Sequence, residues 1–378
     1  MTLRILADEN MPNVEAWFAG SDARIDRKPG RTLTHADLQS ADVLLVRSVT
    51  QVNAELLQNT PIKFVGSATI GTDHIDQTYL QSQNIPFHYA PGCNAQSVAD
   101  WLLAVFARLH LDHDLHWWHK TIGIVGVGNV GSTVAKTLRK LGCRVLVCDP
   151  PKAERRELPE HISQAELLAQ ADIICFHTPH TRSGLYATHQ MIGRDELALL
   201  KPGAWLINAG RGPVFQHQPL LAGALRQAFN LVLDVWPNEP FVDEPLLNAV
   251  ALASPHVAGY SLEGKLTGTA MIAEAVYQWW QQQPLVRPAL PQSITLDAGL
   301  FAQEDLKQWA SELVLQVYDP ARDTVVMRTS LSAGTIASAM FDQLRKQYPV
   351  RRELGSVKVN NAPEKLIPWL QALGFICA

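Results

Sequence analysis

The chain has 378 residues, enough for two or three domains with a sizeable core. Apolar residues make up 47% and charged residues 18%, the balance of a globular protein rather than a disordered or fibrous one. A formal charge of −4 with no basic stripe argues against nucleic acid or an anionic membrane as partner.

Cys93, Cys143, Cys148, Cys175 and Cys377 form no CxxC pair. They read as reduced thiols of a cytoplasmic protein, not as a disulfide framework. The opening residues MTLRILADENMP carry acids where a signal peptide needs a basic and then an apolar stretch. No apolar run is long enough to span a bilayer.

In chain order, LRIL (3–6), VLLVR (43–47), KFVGSA (63–68) and IPFHYA (85–90) are predicted buried strands, with helical segments such as VNAELLQ (52–58) between them. Such alternation predicts a parallel α/β sheet. A long apolar helix is expected over 97–111, opened by a capping box of Ser97 and Asp100. Next comes TIGIVGVGNVGSTVAKTLRKLGCRVLVCDP (121–150). A strand runs into glycines, and a helix follows with apolar positions Val134, Ala135, Leu138 and Leu141. Gly142 ends it, and CRVLVC leads to Asp149. Further strands are predicted in DIICFHT (172–178), AWLINAG (204–210), NLVLDVW (230–236) and ALASPH (251–256). The pattern is a doubly wound sheet of Rossmann type. PLVRPALPQSITLDAG (284–299) has three prolines and no helical period, so it reads as a linker to a last α/β region.

Gly126-Val127-Gly128-Asn129-Val130-Gly131 is a G-x-G-x-x-G placed between strand and helix, with an acid at the end of the next strand. Gly126 permits a tight turn, Gly128 lets backbone approach a pyrophosphate, and Gly131 lets helix and strand pack closely. Asp149 is the expected partner of the ribose hydroxyls. Its charge repels a 2′-phosphate and favours NAD over NADP, a preference that Lys152 weakens slightly.

Ligands of such sheets bind beyond the carboxyl ends of the strands. There Arg211 follows LINAG, Glu239 follows LVLDVW and His256 follows ALASP. The set suits oxidation of a 2-hydroxy acid. Arg211 offers a planar fork to a carboxylate. His256 is placed to take the hydroxyl proton as hydride leaves, and Glu239 to hold the other ring nitrogen. Asp234 is a candidate acceptor for the nicotinamide amide, and Arg47 a candidate for a phosphate.

HLDHDLHWWH (110–119) repeats histidine every third residue at 110, 113, 116 and 119. On a helix that spacing drifts by about 60° per step, so the four are not expected to share an ion. No metal is expected.

These motifs together resemble the D-isomer-specific 2-hydroxyacid dehydrogenases. GIVGVGNVG, the Arg of NAGRGP, the Glu of DVWPNEP, the His of SPHVAG and SATIGTDHID (67–76) match that family in order and spacing. DENMP (8–12), LLVRSVTQVN (44–53), APGCNAQSVAD (90–100), HVAGYSLEGK (256–265) and FDQLRKQYPVRREL (341–354) narrow the resemblance to a branch acting on a four-carbon phosphorylated 2-hydroxy acid in pyridoxal phosphate biosynthesis. The resemblance implies Arg211, Glu239 and His256 as active-site residues, His256 being the acid–base. It implies NAD contacts at Asp149, Thr178, Asp234 and Gly259, and substrate contacts at Ser48, Thr69 and Tyr260. It also implies a homodimer. One departure is Gly210, where relatives often carry Cys or Ser. The expected architecture is a flavodoxin-like substrate domain (1–96 with 257–285), the NAD domain (97–256) and a C-terminal dimerisation domain (286–378). The alternatives are a phosphoglycerate or glyoxylate/hydroxypyruvate dehydrogenase, and a non-catalytic NAD-sensing protein.

Overall fold

The computed structural model describes residues 2–377. It divides into two compact units, residues 1–94 with 261–292, and 95–260 with 293–378.

The first unit holds β1 (Leu3–Asp8), β2 (Ala23–Lys28), β3 (Val43–Val46), β4 (Phe64–Ser67) and β5 (Phe87–Tyr89). They form one parallel sheet in the order β2-β1-β3-β4-β5, the flavodoxin-like order. β3 and β4 are buried at every position, because crossover helices cover both faces of a parallel sheet. That is why their sequences are unbroken apolar runs. β2 was not predicted. Its ARIDRK alternates half-buried and exposed residues at the sheet edge, so it has no apolar run. The helix Leu262–Trp280 returns to this unit and places Ile272, Ala273, Val276 and Tyr277 in its core.

The second unit holds β6 (Thr121–Val125), β7 (Arg144–Cys148), β8 (Ile173–Phe176), β9 (Trp205–Asn208), β10 (Asn230–Leu233), β11 (Val242–Asp243), β12 (Leu252–Ala253), β13 (Ile294–Asp297), β14 (Thr335–Ile336), β15 (Val357–Asn360) and β16 (Ile376–Cys377). Six of these make a parallel sheet in the order β12-β10-β9-β8-β6-β7. The connections leave β6 in opposite directions, to β7 on one side and β8 on the other. This is the switch point at which such sheets open a crevice. The helix Asn129–Lys140 buries Gly131, Val134, Ala135 and Leu138, one stripe at helical spacing. Gly142 leaves it at φ +80°, the left-handed conformation that glycine adopts without a Cβ clash.

Three expectations are corrected here. The helix expected from Ser97 runs over Ala95–His113. Ser97 is therefore inside the helix, and its hydroxyl donates to Glu353 at 2.8 Å instead of capping. Asp100 accepts from the N–H of Leu354 at 2.8 Å. Residues 294–297 of the expected linker form β13, which pairs with β15 in a three-stranded parallel sheet, β13-β15-β16. The three prolines precede this stretch and leave its N–H groups available to the ladder.

Residues 257–260 group with the second unit, because the N–H groups of Val257 and Ala258 donate to Asp234. Residues 293–378 group with it as well. The helix Leu306–Val317 packs on Ala95–His113, and Pro320–Thr329 packs on β12.

Candidate active site

The strand ends of the second unit present the predicted residues in a row: Asp149 after β7, the glycine turn after β6, Thr178 after β8, Arg211 after β9, Glu239 after β10 and His256 after β12.

The glycine turn is built as its spacing requires. Gly126 has φ +87°, and a Cβ there would press on the His177–Thr178 backbone. A Cβ on Gly131 would run into the carbonyl oxygen of Gly126. A Cβ on Gly128, by contrast, would meet nothing within 4 Å, so that backbone faces open space. Gly128 starts the helix and accepts from Ser132 N at 3.0 Å. The N–H groups of Asn129, Val130 and Gly131 form the first turn, where helix N–H groups have no intrahelical partner and favour an anion. Asp149 accepts from Val127 N at 2.8 Å and from Lys152 N at 3.1 Å. Lys152 Nζ donates to Val127 O at 2.6 Å. The acid is thus tied to the turn it serves. Thr178 is buried, and its Oγ1 has no hydrogen-bond partner. An open glycine cradle, a helix N-terminus, a fixed carboxylate and an orphaned hydroxyl fit a dinucleotide.

His177, which the sequence reading passed over, lies next to Thr178 with both ring nitrogens buried and unpartnered. Burial pushes its pKa down to about 4, so the ring is neutral at physiological pH.

His256 Nδ1 lies 2.8 Å from Glu239 Oε2. Glu239 Oε1 accepts from Trp236 N at 2.7 Å, and Trp236 Nε1 donates to Ser254 O at 3.1 Å. Burial opposes ionisation of Glu239. The His256 charge and hydrogen bond, with the Trp236 N–H, outweigh it and hold the carboxyl below its usual value. His256 itself has φ +59°, sparsely populated for a residue with a Cβ. Its N–H donates to Asp234 O at 2.7 Å, and the next two N–H groups go to the Asp234 side chain. Asp234 Oδ1 takes Val257 N at 2.7 Å and Ser254 Oγ at 2.6 Å, and Oδ2 takes Ala258 N at 3.0 Å. Asp234 is therefore the buried knot of the histidine turn. Gly259 and Tyr260 follow directly, both half-buried.

Arg211 Nη1 donates to Gly210 O at 2.9 Å. The turn is fixed by Asn208, which accepts from Gly210 N at 3.0 Å and donates to Arg211 O at 3.1 Å. A Cβ on Gly212 would collide with the Trp236 backbone. The loops carrying Arg211 and Glu239 therefore touch.

In the first unit, Arg47 and Ser48 follow β3, and Thr69 follows the adjacent β4. Ser48 is exposed. Arg47 Nη1 reaches Ala68 O at 3.4 Å. Thr69 Oγ1 donates to Gly71 O at 2.8 Å and lies 2.7 Å from Ser67 Oγ, which lies 3.0 Å from His74 Nε2.

The histidine run differs from its helical reading. The helix stops at His113, and Asp114, at φ +51°, turns the chain back. Ligand atoms of His110, Asp114 and His116 then lie within 4.8 Å of one another. Two of the three residues are exposed.

The sequence also missed Arg345 and Arg351. Arg351 is buried and donates through Nη2 to the carbonyls of Ser97 and Ala258. Arg345 Nη2 donates to Tyr260 Oη at 3.0 Å. FDQLRKQYPVRREL contributes to the resemblance, but nothing local in it marks either arginine as reaching the loop after β12.

A family model described as D-isomer specific 2-hydroxyacid dehydrogenase, NAD binding domain, matches residues 101–258. A second, a domain of unknown function (DUF3410), matches residues 287–374. The chain is 44% identical to erythronate-4-phosphate dehydrogenase of Pseudomonas fluorescens, with 98% of both chains covered. It is 44% identical to that of Marinobacter nauticus over the same shares. Among solved structures it resembles the NAD+-bound 3-phosphoglycerate dehydrogenase of Entamoeba histolytica, with a TM-score of 0.62 and 20% identity over 77% of this chain and 100% of that one.

Proposed function

The chain belongs to the D-isomer specific 2-hydroxyacid dehydrogenase family, and from that membership we propose that it oxidises 4-phospho-D-erythronate at C2 with NAD. The product is (R)-3-hydroxy-2-oxo-4-phosphobutanoate. Relatives at this identity carry the name of that activity along nearly their whole length, and the activity belongs to pyridoxal phosphate biosynthesis.

The observation that carries the mechanism is the Glu239–His256 pair, 2.8 Å apart at the exit of two neighbouring strands. Nδ1 is engaged by Glu239, so Nε2 is the ring atom that takes the C2 hydroxyl proton. The proton leaves oxygen as the C2 hydrogen departs as hydride, and a C=O bond forms. The charge gained by the ring is met by Glu239, itself held by Trp236 N. Arg211 presents its fork to the substrate carboxylate and the C2 oxygen. Bound NAD supplies the hydride acceptor. Asn129, Val130, Gly131, Asp149 and Thr178 are the residues that would hold it. The family resemblance offers Ser48 and Thr69, with Arg47, as further candidates for substrate contact.

The same reading carries a homodimer through residues 286–378. Leu300, Val325, Val326 and Val350 are exposed there, and β13 is a sheet edge, features that a second copy would cover. We place the enzyme in the cytoplasm; among the described residues its five cysteines form no disulfide, and no helix is long and apolar enough to cross a membrane.

The test is NADH formation by the purified protein with 4-phospho-D-erythronate, beside 3-phosphoglycerate and D-glycerate, with a trap for the oxo acid. Turnover confined to the four-carbon phosphate supports the proposal. Turnover confined to 3-phosphoglycerate overturns the substrate.

A further inference from the structure

We propose that Arg345 is the phosphate-binding cation of this enzyme, so that the segment matched by a domain of unknown function completes the substrate site. The proposal rests on the reading of the substrate as a phosphorylated acid.

Arg345 lies on the helix Ser338–Lys346. Its Nη2 donates to Tyr260 Oη at 3.0 Å, and its guanidinium carbon stands 5.7 Å from the centre of the Tyr260 ring. Tyr348 packs edge-on against that ring, with centroids 6.1 Å apart, and its own hydroxyl donates to Asp323 at 2.9 Å. Arg351 holds the carbonyl of Ala258, two residues before Tyr260. The C-terminal segment therefore fixes the loop that carries His256, Gly259 and Tyr260, and sets a guanidinium upon it.

That guanidinium has no carboxylate in direct contact. Among the described residues it meets none at ion-pair distance, and its Nε is buried with no hydrogen-bond partner. Glu239 and Asp342 support its charge from farther off, and both Glu239 oxygens are already engaged by His256 and Trp236. A half-buried cation with a buried spare donor calls for an oxyanion. The planar fork of arginine matches a phosphate better than a point charge does.

The substrate has two anionic ends with C2 beside one of them. Arg211 is assigned the carboxylate. The other end needs a second cation on the far side of the reacting carbon, and Arg345 stands near enough to Glu239 for their charges to interact. Tyr260 then serves as the hydroxyl beside that cation.

The experiment compares wild type, Arg345→Gln and Arg345→Lys. One measurement is kcat/KM on 4-phospho-D-erythronate and on D-erythronate. The other is calorimetric binding of inorganic phosphate to the NAD-loaded protein. The expected result is a fall of about 30-fold in the ratio of the two kcat/KM values in Arg345→Gln, the size of one lost charged hydrogen bond. Arg345→Lys should recover part of it, and the phosphate heat should disappear in Arg345→Gln. Equal losses on both acids overturn the proposal, since Arg345 would then only position the loop. So does phosphate binding that Arg345→Gln leaves intact. If Arg345→Gln does not fold, Arg345→Lys decides: an unchanged ratio and unchanged phosphate heat overturn the assignment. Wild type inactive on the phosphorylated acid would sink the substrate reading, while the phosphate heats would still judge Arg345 as an anion site.

Discussion

Gly128 and Gly131 stand three residues apart in one turn and face opposite conditions. A Cβ on Gly128 meets nothing within 4 Å, whereas one on Gly131 runs into the Gly126 carbonyl. One glycine leaves open space beside the turn, and the other is required by the fold.

Gly128→Ala should therefore fold with an unchanged melting temperature and lose NAD affinity by at least about tenfold, measured by calorimetry. Gly131→Ala should lose about 2–3 kcal/mol of stability as well, through overpacking against backbone that cannot move aside. Equal melting temperatures in the two variants would refute this division of roles.

His256→Ala should lower kcat by about 10²–10⁴-fold, the usual worth of a positioned acid–base. Glu239→Gln keeps a side chain of the same shape but loses the charge that faces His256. It should fall between wild type and His256→Ala in kcat. NAD affinity should hold in both variants, which separates lost chemistry from lost cofactor.

Tyr260→Phe removes only the hydroxyl that accepts from Arg345. KM for 4-phospho-D-erythronate should rise about tenfold with kcat little changed. Arg47→Ala should raise the same KM if Arg47 also contacts the substrate. Unaltered steady-state constants would remove each residue from the site.

Asp100 gives the pH dependence. Burial first, and then the neighbouring Glu353, push its pKa up to about 7. A carboxyl in the unfolded chain titrates near 3.9. Between those values the folded state holds a proton that the unfolded state has released. The resulting stability is complete below about pH 4 and lost as pH rises through about 7. Asp100→Asn should then stabilise the protein by about 1–2 kcal/mol at neutral to mildly alkaline pH, with the gain fading towards pH 4. Thermal unfolding across that range checks it. A gain independent of pH would show that Asp100 is not the titrating group.

The sequence by itself determined the buried strands of the two larger parallel sheets, the glycine turn and the row of Asp149, Arg211, Glu239 and His256. Those features are local. Buried parallel strands need unbroken apolar runs, a dinucleotide turn needs glycines at fixed spacing, and the ends of parallel strands fall on one edge of the sheet. Only the tertiary structure decided which distant surfaces meet. It made Ser97 a partner of Glu353 instead of a helix cap, and put Asp234 at the centre of the His256 turn. It also folded Asp114 and His116 back towards His110. It brought Arg345 and Arg351 from the far end of the chain onto Tyr260 and Ala258. The energy of a buried charge depends on what surrounds it in space, and no pattern along the chain records that for residues so far apart.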